Sequence, residues 1–424
     1  MSVSTAMSSP ITSIAPKLRC RFCQHGVSRT FVDLGMSPLC ESYLASDQLN
    51  QMEPFYPLHA LVCEHCWLVQ LDQYVAPGHI FSEYAYFSSY SDSWLRHASA
   101  YVDMAASRFG LGSGHLVAEI ASNDGYLLQY FVAKNIPVLG IEPAANVAKV
   151  AQEKGVNTVV RFFGVETARA LVSEGRSADL IVANNVLAHV PDINDFVEGI
   201  RVLLKPGAVA TLEFPHLLRL IEEVQYDTIY HEHFSYLSLS TVDRIMRAHG
   251  LLVFDVEELK SHGGSLRVFV RHAGDSTKPE TAALVALKRR ELDYGLERAE
   301  TYTAFADRVM RSKRSLLEML IRLRNEGHTV AGYGAPGKGN TLLNYCGIRQ
   351  DLLEFTVDRN PYKHGRFLPG THIPIYDVDQ IAARRPDYIV ILPWNLKDEI
   401  VKQLAYARDW GARFIVPIPE AHII

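Results

Sequence analysis

The sequence predicts an α/β protein in which two doubly wound parallel-sheet units follow a small metal-stapled module. Three observations predict it. From Leu116 onward, short apolar runs alternate with amphipathic stretches of roughly 10 to 15 residues, the pattern of a parallel sheet covered by helices on both faces. The same alternation returns from His328 to the end of the chain, and four of the six cysteines fall into two Cys-x-x-Cys pairs near its start.

Composition sets the bounds. A chain of 424 residues exceeds one ordinary domain and predicts two or three, each burying its own core. Hydrophobic residues at 48% and charged residues at 21% match folded globular proteins, which excludes disordered and collagen-like classes. The net charge of -5 gives no global attraction to nucleic acid or to an anionic membrane, so a small anionic ligand needs a local site. No window approaches the roughly 18 apolar residues that span a bilayer. The stretch Met1 to Pro16 lacks the basic start and apolar core of a signal peptide, so a cytoplasmic protein is expected. A monomer or weak homo-oligomer is expected, with no sequence feature that fixes the state.

Taken in order, residues 1–16 read as a disordered tail and 17–80 as short strands and turns punctuated by Pro38, Pro54, Pro57 and Pro77. Residues 81–275 form the middle unit. It opens with the aromatic and serine-rich stretch Phe81 to Trp94, whose polarity suits a lid, and a helix from Leu95 to Phe109. The strands LVAEIA, PVLGIEP, NTVV, DLIVANN and AVATLEF follow, and then LLVFDVEEL and SLRVFVRH, too close together for a crossover helix and therefore antiparallel at a sheet edge. Residues 276–424 comprise long linking helices to about residue 326 and a C-terminal unit with the strands HTVAGYG, LLEFTVDRN, YIVILPW and RFIVPIP.

Cys20, Cys23, Cys63 and Cys66 present four thiolates in two knuckles, the set that a structural tetrahedral zinc ion favours. In a chain without an export signal, four buried free thiols or a disulfide framework are the plainer and poorer alternatives. The 39 residues between the pairs must fold back as a hairpin-like excursion. His25, His59 and His65 are rival ligands, whereas Cys40 and Cys346 read as small core residues.

In the middle unit, the turn after the first strand carries Glu119, Ser122, Asn123, Asp124 and Gly125. The second strand ends at Glu142-Pro143 and the fourth at Asn184-Asn185. Ligands bind beyond the carboxyl ends of such strands, and a carboxylate at Glu142 can accept both ribose hydroxyls of an adenosine. The first turn lacks a full Gly-x-Gly-x-x-Gly set, so S-adenosylmethionine (SAM) fits it better than a dinucleotide; an unoccupied sheet edge is the alternative.

The densest polar cluster is Tyr230-His231-Glu232-His233-Phe234-Ser235-Tyr236. Proton acceptors and donors this close suit acid-base catalysis. The two histidines are two residues apart, which speaks against the helical His-Glu-x-x-His metal motif. In the C-terminal unit, Gly332-Tyr-Gly334-Ala-Pro-Gly337-Lys338-Gly339-Asn340 fits a dinucleotide fingerprint, with Asp358 at the next strand end. Taken alone it supports an NAD-dependent oxidoreductase of sugar nucleotides. Gly339 stands where a Walker loop needs Ser or Thr, so the shared content is a pyrophosphate site of backbone amides with Gly334, Lys338 and Asn340.

Together, the paired cysteines, SSYSDSW, EIASNDGYLL, NNVLAHV, EFPH, IYHEHFSY, SHGGSLR and GYGAPGKGNTLLNYCGI resemble the three-domain SAM-dependent C-methyltransferases that act on nucleotide-linked 4-keto deoxysugars. The resemblance covers nearly the whole chain. It implies a zinc-binding domain, a SAM-methyltransferase domain and a Rossmann-like domain that helps hold the nucleotide diphosphate sugar. It also implies that His233 is the base that deprotonates the carbon beside the ketone, with Tyr230, Glu232, His189 and the lid residue Tyr84 as catalytic neighbours. Tyr86, Ser89, His262 and Arg267 join Gly334, Lys338 and Asn340 as expected substrate contacts. Cys40 and Pro336-Gly337 depart from the family pattern. A non-catalytic zinc-stapled binding protein is the remaining alternative.

Overall fold

The computed structural model describes residues 18–75, 88–90 and 92–424; the expected tail and Tyr84 and Tyr86 lie outside the described residues. Strands β1 (Leu18–Arg19) and β2 (Gly26–Val27) pair antiparallel around the first cysteine knuckle. The excursion between the knuckles is the antiparallel pair β3 (Arg29–Ser37) and β4 (Tyr56–Val62), and β5 (Val69–Gln70) returns beside β4 after the second knuckle. The hairpin-like course follows from the need to bring both knuckles to one ion.

The middle unit is built on β6 (Val117–Ile120), β7 (Val138–Ile141), β8 (Thr158–Val159), β9 (Ala178–Asn184) and β10 (Leu204–Pro215), all parallel. Every residue of β6 and β7 is buried, as strands covered on both faces require. The short strand β11 (Ser235–Tyr236) ends the polar cluster, and β12 (Leu251–Leu259) and β13 (Ser265–His272) then close the edge antiparallel, as expected. The order β12-β13-β10-β9-β6-β7-β8 reverses direction at β6, where a crevice opens beyond the strand ends.

In the C-terminal unit β14 (Val330–Tyr333), β15 (Thr356–Val357), β16 (Ile375–Tyr376), β17 (Tyr388–Ile391) and β18 (Arg413–Val416) are parallel, and β19 (His422–Ile423) is antiparallel at the edge. The order is β16-β15-β14-β17-β18-β19, a second doubly wound sheet. Its outermost strands β16 and β19 are two residues each, too short to leave a periodic signal in the sequence.

Two connections depart from a bead-like arrangement. First, β11 pairs with β5, Ser235 opposite Gln70 and Tyr236 opposite Val69, so the polar cluster of the middle unit is stitched to the zinc module's sheet. Second, the expected linking helices, Ala282–Tyr294 and Ala299–Asn325, act as packing elements. Phe305 stacks on Phe31 of β3 at 4.4 Å, and Tyr302 stacks on Trp67 at 5.7 Å. Phe31, Tyr302 and Phe305 are fully buried, and such side chains each contribute about 1.5–3 kcal/mol. One apolar core thus runs through the zinc module, the helix after β10 (Leu217–Glu222) and the C-terminal unit. The boundary expected at residue 80 lies outside the described residues, and the linking helices pack against β3 of the zinc module.

Candidate active site and zinc centre

The two knuckles bring four sulfurs together: Cys20 and Cys66 lie 3.5 Å apart, Cys23 and Cys63 also 3.5 Å apart, and all four Sγ atoms fall within 4.8 Å of one another. A tetrahedral zinc ion with Zn–S near 2.3 Å needs sulfur–sulfur edges of about 3.8 Å, so the donor set fits. Cys20, Cys63 and Cys66 are buried, which makes the centre closed and structural. Among the rival ligands, His25 and His65 stack on each other at the exposed side of Cys23, and His59 bonds Thr30 Oγ1 at 2.8 Å. Cys40 and Cys346 are buried far from the cluster, as expected of core residues.

The crevice at β6 is lined by the expected turn. Ala121, Asn123 and Gly125 all adopt positive φ, which curls the backbone back beneath the strand ends. Glu142 accepts the Asn123 amide and the Ala144 amide, each at 2.9 Å, and burial raises its pKa. Pro143 follows, half-buried. Glu119 is buried beneath the turn, and burial drives its pKa well above the usual carboxylate range. Among the described residues, Ser122 Oγ, Asp124 Oδ1, Asn184 Oδ1 and Asn185 Oδ1 are buried without a hydrogen-bond partner. Orphaned polar atoms concentrated at one strand-end crevice call for a polar ligand, which is what SAM is. Ser89, expected at the substrate, lies on this turn: its amide donates to Asp124 and its hydroxyl accepts from Lys154.

The polar cluster after β10 forms the neighbouring wall. His233 Nδ1 lies 2.9 Å from the Thr228 carbonyl. A carbonyl only accepts, so Nδ1 carries the proton and Nε2 keeps its lone pair. The His233 ring lies 4.7 Å from His189 and 4.0 Å from Tyr230, backed by Leu217, Leu220 and Leu237. Burial first, then the neighbouring His189, pushes the His233 pKa well below its ordinary value, and burial lowers His189 to about 4. His262, strained at φ 55, packs edge-on against Trp94. His233 and His189 are neutral at pH 7. Glu232 is buried within 3.8 Å of Cys40 Sγ, and burial with Glu41 pushes it up to about 8. His231 turns the other way, onto the Pro57 carbonyl at 3.2 Å, and so fastens the segment to the zinc module.

Two expected substrate contacts are otherwise engaged. Arg267 is buried, donating to Glu213 at 2.9 Å and Glu257 at 2.8 Å and stacking on Tyr101. Burial alone would raise the Glu213 carboxyl, but His97, Arg267 and Ser261 hold it below the ordinary value. The guanidinium is spent on a buried ion-pair network that braces β10 and β13. Asn340 donates to the Cys40 carbonyl at 2.6 Å, and its ring of neighbours closes the glycine loop from outside. Glu41 receives the Gly337 amide, Tyr43 donates to the Ala335 carbonyl at 2.5 Å, and Asp358 accepts the Ala335 amide at 2.7 Å. Groups of the dinucleotide-like loop are therefore used to join the zinc module to the C-terminal unit. Gly334 keeps positive φ against Pro393, and Lys338, half-buried, reaches Asn395 at 2.6 Å and lowers the pKa of both His233 and His262. Glu41, Asp227 and Trp394 were not singled out in the sequence, because each acts through a partner distant along the chain, and Thr228 acts through a backbone carbonyl, which carries no side-chain signal.

A zinc binding domain family matches residues 20–81, a methyltransferase domain family matches 94–256, and a C-methyltransferase C-terminal domain family matches 260–419. The C-methyltransferase NovU of Streptomyces niveus is 37% identical over 413 residues, covering 97% of this chain and 98% of its own. A ubiquinone biosynthesis O-methyltransferase of Chelativorans sp. (strain BNC1) is 31% identical over 97 residues, 23% of this chain and 38% of its own. The crystal structure of magnesium protoporphyrin IX methyltransferase from Synechocystis PCC 6803 with bound SAM aligns over 42% of this chain and 78% of its own, at 13% identity and a TM-score of 0.32. No helix among the described residues is long and apolar enough to cross a membrane. Matched by family in all three of its units and aligned over nearly its whole length, the chain belongs to the SAM-dependent C-methyltransferases that carry an N-terminal zinc-binding domain and a dedicated C-terminal domain.

Proposed function

We propose that the methyl acceptor is a carbon beside the ketone of a nucleotide diphosphate-linked keto deoxysugar, and that His233 Nε2 is the base that deprotonates it. The observation that carries this reading is the Thr228 carbonyl on His233 Nδ1, which fixes the tautomer with a free Nε2 inside a water-poor wall. A weakly acidic C–H needs a neutral base and stabilisation of the enolate oxygen that develops. The lowered pKa supplies the first; Tyr230 and His189, whose rings pack against the base, are the donors for the second. Lys338 offers a cation for an anionic substrate, and Glu232, protonated below about pH 8, is a further donor. His262 is assigned to the substrate side of the same cleft.

Glu142, Asn123, Asp124, Asn184 and Asn185 are the residues that would hold SAM, with Glu142 toward the ribose. When bound, SAM supplies an electrophilic methyl on a sulfonium. The chain's part is to hold enolate and sulfonium in line, a positioning effect of on the order of 7–11 kcal/mol.

The test uses S-adenosylhomocysteine in place of SAM, in deuterated water, with a nucleoside diphosphate-linked 4-keto sugar. Deuterium should wash into the carbon beside the ketone in the wild type and not in His233→Ala. Exchange that proceeds equally well with the free, unlinked sugar would remove the nucleotide from the reading, and equal exchange in the variant would remove His233.

A further inference from the structure

Immediately before the polar cluster, the single turn Tyr226–Thr228 makes contacts in two directions. Its last residue, Thr228, presents the carbonyl that orients His233. Its middle residue, Asp227, is fully buried and accepts the indole N–H of Trp394 from the C-terminal unit at 2.7 Å. Burial raises the Asp227 pKa to about 6, against the pull of Lys338 and Trp394. The indole is wedged between two other pieces of the cleft. On one side Lys338 Nζ lies 4.9 Å from its ring centroid. On the other is Gly263, at φ +90, where any Cβ would come within 2.7 Å of the indole. Two further contacts hold the turn's flanks to the C-terminal helix Gly337–Cys346: Thr341 Oγ1 donates to the Ile229 carbonyl at 3.1 Å, and Tyr226 OH lies 3.5 Å from Cys346 Sγ.

We propose that Asp227 is a positioning residue for methyl transfer: through Trp394 it registers the C-terminal unit against the turn that aims His233. The base is thereby aimed by a contact made in another domain. Thr228 and Asp227 are adjacent on a turn of three residues, so a shift of one displaces the other. A buried carboxylate without its indole donor would also be left poorly satisfied, and the turn would move to relieve it. This inference rests on the reading of His233 as the base.

Three variants separate the pieces. Trp394→Phe keeps the ring between Lys338 and Gly263 and deletes only the N–H donor. Asp227→Leu deletes the acceptor, and Asp227→Asn keeps a neutral acceptor oxygen for the indole. Trp394→Phe and Asp227→Leu should each lower kcat about 10- to 100-fold, the usual cost of a small misplacement of reacting groups. SAM affinity and zinc content should stay at wild-type values, and the double variant should be no worse than either single one. Asp227→Asn should recover to within a few-fold. If Asp227→Leu does not fold, Trp394→Phe against Asp227→Asn carries the comparison. Wild-type kcat in Trp394→Phe, or additive losses in the double variant, would overturn the proposal. Failure of the base reading is distinct: it shows as retained turnover in His233→Ala, whatever these three variants do.

Discussion

Asn340 donates its side-chain amide to the carbonyl of Cys40, 300 residues earlier in the chain, at 2.6 Å. That bond, with Glu41 on the Gly337 amide, turns a glycine loop of dinucleotide type into a joint between domains. Gly337 is required there by close approach, since a Cβ would come within 2.8 Å of Cys40 Sγ and 3.0 Å of Glu41 Oε1. Gly337→Ala should cost about 1–3 kcal/mol by overpacking, read as a lower midpoint in denaturant titration. The wild type should give no energy transfer from tryptophan to added NADH; tight NADH binding would reinstate the dinucleotide site.

Removing one zinc ligand should cost the fold as well as the metal, because all four sulfurs converge on one point and the β3–β4 pair between the knuckles packs into the shared core. Cys63→Ser is expected to lose zinc and solubility, while the wild type carries close to one zinc per chain by elemental analysis. A Cys63→Ser protein with full zinc and an unchanged melting profile would contradict this.

Glu142 orders the crevice by accepting two backbone amides and faces the expected ribose. Hydrogen bonds to a carboxylate are worth about 1.5–3 kcal/mol, so Glu142→Ala should weaken SAM binding at least about tenfold in calorimetric titration. Unchanged affinity would place the cofactor elsewhere.

His233→Ala should leave SAM and substrate binding nearly intact while lowering kcat about 10²- to 10⁴-fold, the span of general base catalysis. His231 does not stand in for it, because its ring is committed to the Pro57 carbonyl. His189 is the remaining neighbour that could accept a proton, and near wild-type turnover in His233→Ala would shift the role there.

Glu232 gives a pH signature of definite sign. Burial, followed by Glu41, holds its folded pKa near about 8, above the ordinary 4.5. The folded state therefore keeps a proton that the unfolded state has released, and this contribution is full below about pH 4.5 and is lost as pH rises through about 8. Glu232→Gln removes the titration. Its melting temperature should gain on the wild type between pH 5 and pH 9, and a constant difference across that range would show that Glu232 is not held protonated.

Much of this protein could be read before folding was considered. The four cysteines, the two alternating strand and helix patterns and the antiparallel edge all come from short-range regularities: the spacing of a knuckle, the period of a covered strand, and the lack of room for a crossover between β12 and β13. The candidate SAM turn and the YHEH segment were visible for the same reason, since their chemistry lies within a few consecutive residues.

The sequence by itself determined which elements form and where reactive side chains are concentrated. The tertiary structure alone decided what those side chains are available to do. It stitched β11 to β5, spent Arg267 on Glu213 and Glu257, and turned Asn340 and Asp358 inward to close the glycine loop. It also set the His233 tautomer through Thr228 and tied that turn to Trp394. The physical reason is that a buried polar group must find a partner, and the partner nearest in space is set by packing between domains, which leaves no periodic or local trace in the order of residues.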